Sequence, residues 1–79
     1  MNMNMETRLT HIFHEVFDRS DIVLKREMTA DDIAQWDSLT HIRLIVAIEQ
    51  EFNFHFSLAH YPQLHNVGAI MDIITDKMA

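Results

Sequence analysis

The stretch that decides the fold is WDSLTHIRLIVAIEQEF, residues 36–52. Asp37, Ser38 and Leu39 stand at the head of an apolar run: Leu39, Ile42, Leu44, Ile45, Val46, Ala47, Ile48 and Phe52. Asp is a preferred N-cap, because its carboxylate accepts from first-turn amides and matches the positive helix end. A helix is therefore expected from Ser38 to about Glu51. Trp36, one place before the cap, can staple onto His41 at the fourth helical position. The apolar set covers more than one face, which predicts a central helix with neighbours on several sides. A helix cap accounts for Asp37 and Trp36. It gives Ser38 no task.

Outward from this segment the chain is helical in pattern. Leu9, Ile12, Phe13, Val16 and Phe17 follow i, i+3, i+4, i+7, i+8, an amphipathic helix over roughly residues 5–18. Between Ser20 and Trp36 the periodicity fades. Structureless loops of that length are uncommon in small domains, so Ile22, Val23, Leu24, Met28 and Ile33 are expected to pin the connection to the core, with a helical turn after Thr29. FNFHF (Phe52–Phe56) alternates like a strand but has nothing to pair with, and reads as an extended link that buries aromatic rings. Ser57 can cap a short third helix, Leu58–Tyr61, which Pro62 limits. Asn66 caps a last helix carrying Val67, Ile70, Met71, Ile74 and Met78. The expectation is an all-α domain over residues 1–79, a small four-helix bundle of three longer helices and one short.

Composition narrows the function. With 79 residues, the chain buries only about 60–65% of its unfolded surface. It contains no cysteine, so disulfides and thiolate metal sites are excluded. Twelve acids against six bases leave a net charge of −6. That opposes nucleic-acid binding, which needs clustered Lys and Arg, and suits docking to basic protein surfaces. No apolar run approaches the length of about 18 residues needed to span a bilayer, and the first residues lack a signal-peptide layout. A cytoplasmic monomer without membrane contact is expected.

Six histidines and six methionines complete the candidates. His11 and His14 lie i, i+3, and His55, His60 and His65 are five apart; neither matches a two-helix ligand set, so no metal site is expected and solvated histidines are. The methionines beyond the start read as core filler. Ser38, His41 and Asp37 do not make a hydrolase: Asp37 adjoins the serine rather than backing the histidine, and nothing supplies an oxyanion hole.

DSL at the head of the central helix, followed by I-x-L-I-V-A-I-E-x-E-F and later by NVGAIMDII, resembles the acyl carrier proteins over most of the chain. The preceding Trp36 is similar to stand-alone carriers of specialised or polyketide-like pathways, beside the fatty-acid carriers. The resemblance implies that Ser38 carries a 4′-phosphopantetheine arm, placed there from coenzyme A by a phosphopantetheinyl transferase that reads Asp37 and Leu39. The arm's thiol would hold acyl or aminoacyl groups as thioesters for acyl-activating, ketosynthase-like or acyltransferase enzymes, and the domain itself would catalyse nothing. The resemblance also implies docking through Thr40, His41, Ile42, Arg43, Val46 and Glu49. Glu49 and Glu51 fit an acidic docking code. Thr40, His41 and Arg43 depart from it, and Arg43 reverses its sign, which points to a dedicated partner set. Leu44, Ile48, Phe56, Leu64 and Ile70 match positions that line an acyl pocket in the family; as residues they equally read as core. The rival from another class is a small helical interaction module that is never modified, which leaves Ser38 and the second-helix pattern unexplained together.

Overall fold

The structure is a computed structural model that describes residues 4–78. Three α-helices carry it: α1 (Met5–Phe17), α2 (Ser38–Phe52) and α3 (Val67–Met78), with 3-10 turns at Ala30–Asp32 and Tyr61–Gln63. The all-helical expectation holds. The short fourth helix does not form as Leu58–Tyr61: residues 58–60 are turn, and the 3-10 turn starts at Tyr61 with Pro62 inside it. The reason is local. Proline fits the first turn of a helix, where its missing amide would be unpaired anyway, so Pro62 helps to start the element rather than end it. Ser57 offers its backbone carbonyl to His60 N at 3.0 Å, and its amide donates to His60 Nδ1 at 3.2 Å.

Helix α1 begins at Asn4, whose side chain accepts from Thr7 N at 2.8 Å, and ends at Asp18 in the left-handed region with φ 54°. Helix α2 ends the same way at Asn53, φ 56°. Asp and Asn are among the non-glycine residues that tolerate this conformation. The stripe Leu9, Ile12, Phe13 and Phe17 is buried against Leu44 and Ile48 of α2 and Val67, Ile70, Met71 and Ile74 of α3, in one core. At the edge of the α1–α2 seam, Arg8 Nε donates to Glu51 at 2.8 Å and its guanidinium lies 4.4 Å from the centre of the Phe52 ring.

Two expectations about the apolar residues change. Helix α2 is not covered on several sides: it buries Leu44 and Ile48 and leaves Leu39, Ile42 and Val46 exposed. Those three recur at i, i+3 and i+7, so they form a second stripe on the side away from the core. In the connection, Ile22 and Ile33 are buried and Leu24 and Met28 pack on the core, whereas Val23 is 71% exposed. Successive side chains of an extended segment point opposite ways, so Ile22 and Leu24 turn inward together and Val23 must turn out. Met78 is also exposed, Met71 is buried, and Met1 and Met3 lie outside the described residues.

The long connection has a second task, at the start of α3. The Val67 amide donates to the Met28 carbonyl (2.9 Å), and Gly68 N to the Arg26 carbonyl (2.8 Å). Ala69 N reaches Asn66 Oδ1 (2.7 Å), and Ile70 N reaches the Asn66 carbonyl (3.2 Å). The amides of a helix's first turn lack partners on the helix backbone; those of Val67, Gly68 and Ala69 each find one here, and the Ile70 amide makes the first bond of the helix ladder. Gly68 makes this approach possible. A Cβ there would stand 3.0 Å from the Arg26 carbonyl oxygen and 3.3 Å from Arg26 Cβ.

Candidate functional site

At the start of α2 the same capping chemistry leaves an open surface. Asp37 is the N-cap: its Oδ1 accepts from the amides of Leu39 and Thr40, both at 3.0 Å. The Thr40 hydroxyl completes a capping box by accepting from Asp37 N at 2.8 Å, and it donates to the Gln35 carbonyl at 2.7 Å. The Asp37 carboxyl is held below its usual range, first by the Thr40 amide, then by the Thr40 hydroxyl 3.2 Å away, and also by the Leu39 amide. Hydrogen bonds to the charged form favour it.

Ser38 is the first residue of α2 and is exposed, and among the described residues its side chain makes no hydrogen bond. It borders a depression of about 380 Å³ lined with Ala30, Trp36, Asp37, His41, Tyr61, Leu64 and His65. The floor is rigid. Trp36 is buried, meets Phe13 edge-on at 5.6 Å between ring centres and lies 5.7 Å from Phe17, which ties the site to α1. On its other side Trp36 lies nearly coplanar with His41, edge to edge (6.0 Å between ring centres, 23° between planes), and its Nε1 donates to His41 Nδ1 at 2.9 Å. The expected staple is therefore present, with a hydrogen bond added. Burial pushes the His41 pKa below its usual value.

The solution structure of a holo acyl carrier protein from Geobacter metallireducens superposes with a TM-score of 0.88 and 43% identity, over 96% of this chain and 87% of that one. The chain belongs to the acyl carrier proteins. It is a non-catalytic carrier of that family. No family model matches the chain, and neither does any curated protein.

Within this carrier the residues singled out from the sequence fall into three groups. Asp37, Ser38, Leu39, Thr40 and His41 gather at the head of α2, with Leu39 67% exposed. Ile42, Arg43 and Val46 continue along the exposed side; Ile42 and Val46 border a further depression with His41, Ile45, Glu49 and Tyr61. Glu49 is turned inward in part: its Oε2 accepts from the Phe56 amide at 2.8 Å and lies 3.6 Å from His55 Nδ1. The third group, Leu44, Ile48, Phe56, Leu64 and Ile70, is buried in the core, and of these only Leu64 lines the depression beside Ser38.

Ala30, Tyr61 and His65 are neighbours of Ser38 that sequence reasoning missed, since only tertiary packing brings them there. The histidines are less idle than solvated side chains would be. His14 Nε2 pairs with the Ile22 carbonyl at 2.8 Å and ties the connection to α1, while His41 and His60 hold the bonds described above. Among the described residues no three His, Cys, Asp or Glu side chains gather as a metal site would require, and no helix is long and apolar enough to cross a membrane.

Proposed function

We propose that Ser38 is the attachment point of a 4′-phosphopantetheine arm, placed there from coenzyme A by a magnesium-dependent phosphopantetheinyl transferase that reads Asp37 and Leu39. The observation that carries this reading is the Ser38 hydroxyl: exposed at the first position of α2 and without a bonding task, while Asp37 and Thr40 on either side are engaged in the cap. The residues fit the group. The positive end of the α2 dipole favours a phosphodiester, and the neighbouring Asp37 carboxylate, which would repel it, has its charge drawn into two backbone amides. When bound, the arm supplies a thiol on which acyl or aminoacyl groups travel as thioesters to acyl-activating, ketosynthase-like or acyltransferase enzymes.

The rest of α2 supports a dedicated set of partners and a specialised or polyketide-like pathway. Its exposed face is apolar at Leu39, Ile42 and Val46, with Arg43 among them. The two acids nearest, Glu49 and Glu51, hold the Phe56 amide and Arg8 respectively. The close packing of Leu44, Ile48, Phe56 and Ile70 favours a small or polar cargo held outside the core. We further propose that residues 1–79 act as one monomeric carrier domain in the cytoplasm.

The test is to incubate the protein with coenzyme A, Mg²⁺ and a broad-specificity phosphopantetheinyl transferase and to measure intact mass. The wild type should gain one phosphopantetheine and Ser38→Ala none. No gain on the wild type, or an equal gain on Ser38→Ala, would sink the assignment.

A further inference from the structure

The Trp36–His41 pair does more than close the helix start. The indole Nε1 can only donate, so the His41 Nδ1 that receives it at 2.9 Å must be the unprotonated nitrogen of a neutral imidazole. That places the ring proton on Nε2. The near-coplanar hydrogen-bonded contact, 6.0 Å between ring centres and 23° between planes, with a tryptophan itself wedged against Phe13 and Phe17, sets the plane in which this donor lies. Among the described residues Nε2 has no protein partner. Residues 38 and 41 are neighbours on one helix face, and both line the same depression.

We propose that His41 is a positioning residue for the arm: with Nδ1 occupied by Trp36, it presents Nε2–H to the phosphodiester on Ser38 and holds the first atoms of the arm in the depression bounded by Trp36, Tyr61 and Leu64. The proposal rests on Ser38 being the modified residue. It assigns Trp36 the task of setting which His41 nitrogen carries the proton. The titratable groups bordering the same depressions as the ring are Asp37 from its own helix start, Glu49 about two turns further along α2, and Tyr61 and His65 from the segment packed across it. Asp37 and Glu49 carry charge of the same sign as the phosphodiester, and neither offers it a donor. Protonation of Nδ1 would break the bond to Trp36 and add a positive charge beside the phosphodiester, so the anion should make that protonation easier.

The test follows the phosphorus and the histidine rings by NMR in the apo and holo proteins over about pH 5–8. In the apo protein the ring-nitrogen shifts should mark His41 as the Nε2–H tautomer. On conversion to holo, the His41 titration should move to higher pH, and the phosphorus resonance should shift with the same midpoint. In His41→Phe, which keeps an aromatic ring against Trp36, the phosphorus step should vanish in whatever fraction intact mass shows to be modified. Three results would overturn the proposal: a phosphorus shift flat with pH, a His41 titration identical in apo and holo, or a phosphorus step that survives in His41→Phe and tracks His65. A wild type that gains no mass speaks instead against the attachment at Ser38. The wild-type titrations need no variant, so a poorly folded His41→Phe leaves the test decisive.

Discussion

Helices α2 and α3 start with the same device and put it to opposite ends. Each is capped by an Asx side chain, Asp37 or Asn66, that accepts from amides of its first turn. At α3 the connection then closes over the helix end: Arg26 and Met28 carbonyls take the Gly68 and Val67 amides, and a missing Cβ at Gly68 lets them in. At α2 none of the described segments closes over the cap in this way. Ser38 faces solvent beside an aromatic floor. One helix start is a joint and the other is a socket. The difference lies in what crosses the helix end, which a cap residue alone does not determine.

Substitutions at the first turns should separate the two most sharply. Ser38→Ala should abolish phosphopantetheine loading altogether, yet shift unfolding free energy by no more than about 0.5 kcal/mol, because the side chain holds nothing in place. Gly68→Ala should do the reverse. Overpacking against a backbone carbonyl costs about 1–3 kcal/mol, and the better helix propensity of alanine returns up to about 1 kcal/mol. A net loss of about 1–2 kcal/mol in urea denaturation, with loading of the folded fraction intact, is expected. Equal stability of Gly68→Ala and wild type would contradict the joint.

Acid should distinguish the same two ends, since Asp37 titrates and Asn66 does not. The Asp37 pKa is lowered in the folded protein, so its stabilisation is present above the unfolded value near 3.8 and is lost as pH falls from there through the folded pKa. Thermal melts should show Asp37→Asn losing less stability than wild type below about pH 4, with Asn66→Asp gaining such a dependence. His41 adds a second window. Its folded pKa is also depressed, so its contribution is complete above the unfolded value of about 6.5 and fades as pH falls below it. Smallest in stability is Arg43→Glu, on the exposed face of α2, expected within about 0.5 kcal/mol of wild type. It should leave Ser38 modification intact and change which acyl-transferring partners accept the carrier; unchanged kinetics with every cognate partner would count against Arg43 as part of that choice.

Much of this was legible from local chemistry. The 3.6-residue period of Leu9, Ile12, Phe13 and Phe17 is enough to place α1, and Asp37 and Asn66 announce their helices because short acidic and amide side chains favour N-caps. The Trp36–His41 contact follows from staple spacing, though the hydrogen bond within it does not. What was not legible depends on which segments meet. Leu39, Ile42 and Val46 are as apolar as Leu44 and Ile48, and periodicity shows two stripes on α2 without saying which one the other helices cover. Val23 sits between two inward residues in a segment whose extended geometry has no sequence marker. A lone glycine in the first turn of α3 was a visible signal of close approach. Its partner, the Arg26 carbonyl, lies forty-two residues earlier and could not be named.

Ser38 is the one attachment site proposed. After incubation with coenzyme A, Mg²⁺ and transferase, tryptic cleavage should release residues 27–43 as one peptide, which contains Thr29, Ser38 and Thr40 as its hydroxyl residues. Fragment masses are predicted to place the phosphopantetheine on Ser38 and nowhere else. Its appearance on Thr29, on Thr40 or on a different peptide would contradict the reading of the α2 start as the socket for the arm.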